Sequence, residues 1–308
     1  MDLRQLRYFV AVARERNFTR AAEALNIAQP PLSRQIQLLE EELGVALILR
    51  SSRPLRLTEA GRLFYEQALQ VLGRVEQLAE STRRVGRNQN RLLSIGFVAS
   101  TLYGGLPALV RKLRSLEPDL DIRLLELLSA QQVAALKEGR IDVGFGRLRY
   151  SDPAIASTTL RNERLIVALP RADPLAAAST PVGLAALAGQ RLIIYPNEPR
   201  PSYADYILNL LRDAEVAGIE VQEVREIQTA LGLVAAEAGI CIIPRSASQM
   251  RSDVHYRPLA DPQATSPIII SHRAGDGSAT LETIRKLIAE MYAENPPWLD
   301  EDLGQGAV

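Results

Sequence analysis

The run Asn17-Phe18-Thr19-Arg20-Ala21-Ala22-Glu23-Ala24-Leu25-Asn26-Ile27-Ala28-Gln29-Pro30-Pro31-Leu32-Ser33-Arg34-Gln35-Ile36 has the layout of two helices joined by a tight turn. Thr19 offers a hydroxyl to the freed N–H groups of Arg20 to Glu23 and so opens a short helix, which Asn26 can close in the left-handed conformation. Ala21 and Ala22 are small enough for a neighbouring helix to come close. Gln29 then stands at an N-cap with Pro30 at N1, where a missing N–H costs nothing. A third helix follows, to about Glu42. Leu32, Ile36, Leu39 and Leu43 form its apolar stripe, and Gln29, Pro30, Ser33, Arg34 and Gln37 occupy the opposite face at its N-terminal end. Gln, Ser and Arg match base edges and phosphates, and a helix N-terminus favours a phosphate oxygen. An isolated polar stripe is more often a solvated face. Here it follows an Ala-rich helix and a tight turn, the helix-turn-helix arrangement that presents its second helix to the major groove.

Upstream, Leu6, Phe9, Val10 and Ala13 recur at helical spacing, with Arg4, Arg7 and Arg14 on the wet side. Downstream, Leu47 to Arg50 and Leu55 to Leu57 read as two short strands around a Ser51–Pro54 turn, a wing. Arg50, Arg53 and Arg56 suit flanking phosphates or a minor groove. Arg53 is the best contact candidate, since Arg50 has the alternative of pairing with local acids. Thr58-Glu59-Ala60-Gly61 then caps a long helix. Along it Phe64, Ala68, Val71, Val75, Leu78, Thr82 and Val85 follow at steps of four and three, a heptad seam that argues for pairing between two chains. Packing against its own domain is the alternative, because Gly73 and Thr82 weaken the seam. Gly86 and the polar run 87–91 read as a hinge.

The chain has 308 residues with 36 Lys+Arg against 36 Asp+Glu, a zero balance that would argue against a nucleic-acid partner. By segment the picture changes: residues 1–90 hold fourteen Arg, no Lys and ten acids, so they carry +4 and the remainder −4. A 47% hydrophobic, 23% charged mix is ordinary globular usage and excludes global disorder. No apolar run approaches the roughly 20 residues of a membrane span. The first residues pass straight into an amphipathic pattern, without a signal-like apolar stretch, which reads as cytoplasmic. Cys241 is the one cysteine and only His255 and His272 are histidines, so no zinc motif can be written and Cys241 reads as a buried structural thiol.

From Leu92 strands and helices alternate, a pattern that favours parallel sheets with helices on their faces. Strands are expected at 93–98, 122–128, 141–145, 165–169, 192–195, 221–226, 241–243 and 267–271. Helices are expected near 102–115, 130–138, 183–188, 203–217, 229–238 and 279–293. The order suggests one lobe of 92–162, a second of 163–267 and a return to the first from 268, with two crossing connections making a hinged cleft. Ligands in such sheets sit beyond the carboxyl ends of strands, near helix N-termini. Those junctions hold Ser100 and Thr101, Ser129, Pro201-Ser202-Tyr203, and Gln228-Thr229. Hydroxyls beside free N–H groups can hold a small anion, with a dicarboxylate held from both lobes as the expectation, in a domain that is itself acidic. Taken singly each Ser or Thr is more often a plain helix cap; convergence on one cleft is what favours a ligand.

The motifs Leu3–Phe9, Asn17–Ala22, Gln29–Ile36, Leu39-Glu40, Leu43-Gly44 and Leu57–Gly61 together resemble the LysR-type transcriptional regulators, and the resemblance spans nearly the whole chain. Gly96–Tyr103, Gly139–Arg147, Tyr195-Pro196, Arg200–Asp205 and Glu226–Val234 are similar to the catechol-branch, muconate-responsive subgroup. The resemblance implies a multidomain protein. An all-α winged helix-turn-helix would occupy 1–58 and a linker and dimerisation helix 59–91. An α/β, periplasmic-binding-protein-like, two-lobed effector domain would occupy 92–300, with lobe I at 92–162 and 268–300, lobe II at 163–267, and a tail at 301–308. Thr19, Gln29, Pro30, Ser33, Arg34, Gln37, Arg50 and Arg53 are then the expected contacts to double-stranded operator DNA. Ser100, Thr101, Ser129, Pro201, Ser202, Tyr203 and Ile227 are the expected contacts to a small carboxylate inducer, with cis,cis-muconate as the effector ligand. No cofactor or metal is implied. RNA polymerase and further copies of the chain, as homodimer and homotetramer, are the implied partners, and no membrane is.

Three other readings stay open: a regulator of a chlorocatechol or other aromatic pathway with a different carboxylate, a small-anion binding protein without DNA activity, and an enzyme. The polar face of the third helix and the wing arginines argue against the second. Against the third, no nucleophile elbow, phosphate loop or dinucleotide fingerprint occurs.

Overall fold

The computed structural model describes residues 1–49, 52, 54–86, 91–177 and 180–294. Two compact units are present, Met1–Arg91 with Lys137–Arg140, and Leu92–Leu136 with Ile141–Val308.

The first unit contains α1 (Leu3–Glu15), α2 (Phe18–Ala24), α3 (Gln29–Leu43), β1 (Ile48–Leu49), β2 (Arg56–Leu57) and α4 (Glu59–Gly86). Asp2 and Gln5 form a reciprocal capping box on α1. The cap of α2 is Asn17, whose side-chain amide oxygen accepts from the backbone N–H groups of Thr19 and Arg20 at 2.8 and 3.2 Å; Thr19, expected as the cap, is exposed as the second residue of the helix. Two positions earlier, at the extended residue just before the helix, the Asn17 amide oxygen reaches two of the free N–H groups at once. Asn26 does close the turn with φ 54°. The cap of α3 is Ala28 rather than Gln29, and it makes no side-chain bond. Leu32, Ile36 and Leu39 are fully buried with Phe9 and Val12 in one core; Leu43, the fourth member of the expected stripe, is 37% exposed at the helix end.

Phe9 packs edge-on against Phe64 at 5.1 Å, and Leu6, Val10 and Ala68 form a second cluster between α1 and α4. The first turns of the expected heptad seam are therefore used within the chain, as its alternative reading held. Farther along, Val71 and Leu78 remain 45% and 67% exposed, and the Thr82 hydroxyl bonds back to the Leu78 carbonyl. Val85 has no described side chain. β1 and β2 pair antiparallel, as expected of a wing. Arg50 and Arg53, and the polar run 87–90, lie outside the described residues.

The second unit comprises β3 (Arg91–Phe97), α5 (Leu106–Leu116), β4 (Leu120–Glu126), α6 (Ser129–Lys137), β5 (Val143–Gly146), β6 (Ile155–Leu169), β7 (Arg191–Ile194), α7 (Tyr203–Asp213), β8 (Glu220–Glu223), α8 (Ile227–Ala235), β9 (Cys241–Pro244), β10 (His255–Pro258), β11 (Thr265–Arg273) and α9 (Ala279–Ala293). Most expected elements are found with shifted ends, but the helix expected near 183–188 is only a short 3-10 turn at Leu184–Leu187, β10 was not expected, and two further corrections matter. The sheets are mixed rather than parallel: β3–β5 and β7–β8 run parallel, while β11 and β6 run antiparallel to their neighbours. The expected lobe boundaries at 162/163 and 267/268 fall inside continuous strands. One half of β6 pairs with β11, and its carboxyl half pairs with β9 and β10. The largely polar run Ser157, Thr158, Thr159, Arg161 and Asn162, which lacks apolar alternation, concealed the first half of β6, which is only partly buried. The hinge is thus a pair of strands, with a register shift at Ile268/Ile269.

Each lobe has its own core. Lobe I packs Leu109, Leu113 and Ile95 with Ile284 and Met291 of α9, and lobe II packs Leu165, Ile193, Ala230 and Ile243. Cys241 is buried in the second of these, and burial pushes its thiol up, as fits a structural role. Among the described residues no helix is long and apolar enough to cross a membrane, and no cluster of metal-binding side chains occurs.

Candidate DNA-reading face and effector cleft

On α3, Gln29, Pro30, Arg34 and Gln37 are exposed and Ser33 is half-buried, so the polar face of this helix stands free of the three-residue core stripe. Its orientation is held from behind. The Glu40 carboxylate accepts from the backbone N–H groups of Leu47 and Ile48 at 2.8 and 3.0 Å, tying α3 to the wing. Thr58 donates its hydroxyl to the Ala46 carbonyl at 2.8 Å and caps α4 by accepting from Gly61 at 2.9 Å.

In the second unit a cavity of about 620 Å³ opens between the lobes, within the size range of small-ligand sites. Ser100, Ser129, Pro201, Ser202, Tyr203 and Ile227 line it together, brought from both lobes as expected. Thr101 does not. Its hydroxyl turns back onto the Val98 carbonyl at 2.8 Å, and the residue lines a separate cavity of about 30 Å³ with Leu106, Arg161 and Tyr292. Thr229 is exposed and outside the lining, whereas Gln228 is in it.

The first turns of α6, α7 and α8 reach the same cavity. Ser202 caps α7, accepting from the Ala204 N–H at 3.2 Å while donating to the Pro196 carbonyl at 2.8 Å, so its hydroxyl is committed locally. No side chain caps α8, which leaves its first-turn N–H groups and their positive partial charge directed at the cleft.

Arg147 organises the lobe I wall. It is 3% exposed; its Nε donates to Ser100 Oγ at 2.7 Å and its backbone N–H donates to Ser129 Oγ at 3.2 Å. Both serine oxygens are thereby fixed as acceptors from the protein, so each hydroxyl keeps its own proton for another acceptor. Two donors aimed at one cavity favour an anion. Glycine at 146 leaves the Ser129 hydroxyl its place, because a Cβ there would lie 2.8 Å from Ser129 Oγ and push it aside.

The charge of Arg147 is cancelled behind the wall. Its Nη2 meets Glu163 Oε2 at 2.6 Å and its Nη1 reaches Ser266 at 3.3 Å, while Glu163 also accepts from the Ser246 N–H at 2.7 Å and lies 3.8 Å from Arg161. Burial alone would raise the Glu163 carboxyl, but Arg147, Arg161 and the hydrogen bonds outweigh it and hold the group below the usual carboxylate range. Sequence reading missed this pair, although Arg147 stands at the end of the Gly139–Arg147 motif. Its role depends on residues 16 and 47 positions away. Tyr195 and Tyr203, with ring centroids 5.4 Å apart, complete the lobe II wall, and burial raises both phenols well above their ordinary value.

Two family models match the chain: the bacterial regulatory helix-turn-helix protein, lysR family, over residues 3–62, and the LysR substrate binding domain over residues 86–293. A probable cat1 operon transcriptional activator of Acinetobacter lwoffii is 65% identical over 300 residues, covering 97% of this chain and 99% of that protein. The crystal structure of full-length BenM is similar at 44% identity and a TM-score of 0.64, over 96% of this chain and 100% of that one. Full-length CbnR complexed with its target DNA is similar at 30% identity and a TM-score of 0.66, over 94% of this chain and 99% of that one. With both family models in place and a close relative along nearly its whole length, the chain belongs to the LysR family of bacterial transcriptional regulators.

Proposed function

We propose that the protein activates a cat-type operon for aromatic catabolism when cis,cis-muconate occupies the cleft between its lobes. The observation that carries this reading is the cleft wall: the Ser100 and Ser129 hydroxyls, both held as acceptors by Arg147, face the uncapped first turn of α8 across one cavity. A neutral array of hydroxyls and helix termini at two separated points suits a short, flat diacid with a carboxylate at each end. The resemblance to a cat operon activator points to the same class of target. Operator DNA is read by Gln29, Pro30, Ser33, Arg34 and Gln37, with Thr19, Arg50 and Arg53 as the further contacts that the family resemblance implies. The chain works as a dimer through the exposed part of α4, where Val71 and Leu78 have no cover, and as a tetramer that presents DNA to RNA polymerase. Effector acts by binding one relative position of the lobes more tightly than another.

Titrating cis,cis-muconate into the full chain by calorimetry tests the reading; absence of heat, with no change in binding to genome fragments, would overturn it. Ser129→Ala is expected to weaken muconate binding about tenfold, since a hydrogen bond to a carboxylate is lost. Arg34→Ala is expected to weaken operator binding at fixed salt by about 1–3 kcal/mol in a gel-shift titration, while muconate affinity stays unchanged.

A further inference from the structure

The turn from Tyr195 to Tyr203 carries the lobe II wall of the cleft and is stiffened from within. Arg200 donates to the Asn197 carbonyl at 3.0 Å and pairs with Asp205 and Glu223, Asn197 N–H donates to Val224, and Ser202 closes onto Pro196. All of those bonds stay within lobe II. Among the described residues, one hydrogen bond joins the turn to lobe I: the Tyr150 hydroxyl donates to the Pro201 carbonyl at 2.9 Å. Tyr150 stands three residues after Arg147, on the loop between β5 and β6, and it lines the cleft beside Leu148. It therefore runs from the segment that arranges Ser100 and Ser129 to the residue immediately before the cap of α7. Burial and the nearby Asp205 carboxylate raise its phenol, so it remains a donor across the neutral range.

We propose that Tyr150 is a positioning residue for the effector, a clasp that fixes the Pro201-Ser202-Tyr203 turn against the lobe I wall and sets how long a bound anion stays. This rests on the cleft being the effector site. The clasp lies at the cavity's edge, so its loss frees an exit more than it changes the groups facing the ligand. Tyr150→Phe keeps the ring and removes only the donor.

The test is stopped-flow binding of cis,cis-muconate to the full chain. Tyr150→Phe is expected to raise the dissociation rate about threefold to tenfold with the association rate unchanged, the size of effect one net hydrogen bond gives. Tyr206→Phe, which removes a 2.6 Å bond to the Thr265 carbonyl outside the cleft lining, is the control and is expected to leave the dissociation rate within twofold. Equal dissociation rates in Tyr150→Phe and the wild type would overturn the proposal. A second measurement needs no ligand: amide hydrogen exchange at Ser202 to Asp205 is expected to quicken in Tyr150→Phe, and unchanged exchange would overturn the clasp. If the wild type binds no muconate, the effector reading fails while the exchange result still decides the clasp.

Discussion

Glu163→Ala is expected to destabilise the effector domain by about 3–5 kcal/mol, the range for removing one partner of a buried ion pair. The carboxylate is 1% exposed and Arg147 is 3% exposed, so no water can replace the lost charge. The guanidinium would stay behind with Ser100 and Ser266 as its side-chain partners, neither of which carries charge. Arg161 would also lose the carboxylate that stands 3.8 Å away. Because β6 passes through both lobes, the damage should appear in each: urea unfolding followed by far-ultraviolet circular dichroism should move to a lower midpoint as one transition. A change below about 1 kcal/mol would mean that the pair contributes nothing net. The same residue predicts a pH dependence. Its folded-state pKa is depressed, so its contribution is fully present above the ordinary carboxylate value, near pH 4.3, and is lost as pH falls from there through the lower folded value. In Glu163→Gln that part of the acid sensitivity should be absent.

How much of this could be read from the sequence depends on how local each interaction is. The α2–α3 pair was legible because its caps, turn and apolar stripe all lie within about twenty residues, and the left-handed Asn26 and buried Leu32, Ile36 and Leu39 are where spacing put them. The cap of α2 was misplaced by two residues, since Asn17 and Thr19 are both good caps and only geometry separates them. In the effector domain the junction residues Ser100, Ser129, Ser202 and Gln228 were found because strand ends and helix starts mark them, whereas Ile227 came only from the family resemblance. Thr101 was not separable from Ser100 by that rule; a short helical turn at residues 99–103 sends the two hydroxyls to different cavities. The Arg147–Glu163 pair and the Tyr150 clasp had no local signal at all. An arginine after a strand and a glutamate within a strand are ordinary surface choices, and only the folding of β6 beside β11 buries them. The first crossing between lobes was set at 162/163, two residues before β6 changes partners after Arg164, but as a connection and not as one continuous strand. A strand that serves two sheets has no break in its backbone to be read as an end.

Gly61→Ala is expected to abolish operator binding and to destabilise the DNA-binding unit by about 3 kcal/mol, at or above the upper end of the usual cost of overpacking. A Cβ at this position would lie 2.0 Å from the Leu47 carbonyl oxygen and 2.9 Å from its carbon, and those atoms are backbone, so no rotamer change relieves the clash. The Leu47 carbonyl is already fixed by the Thr58 N–H at 3.0 Å, and the Leu47 N–H by Glu40 on α3 at 2.8 Å. Moving α4 away from Leu47 would therefore pull on both ends of one hydrogen-bonded path, from the start of the long helix through the wing to the helix that carries Ser33 and Arg34. That path is also how a change along α4 could reach the DNA-reading face, so the variant separates two properties of the protein. Calorimetric titration of muconate should give the wild-type affinity, because the cleft lies in the other unit, while gel shift on an operator fragment shows no complex. Glu40→Gln cuts the same path more gently, weakening the carboxylate's bonds to Leu47 and Ile48 while keeping its shape. It is expected to fold and to bind DNA about tenfold more weakly. Full operator affinity in Glu40→Gln would show that α3 holds its angle by its apolar stripe alone, and that the path from α4 carries no signal.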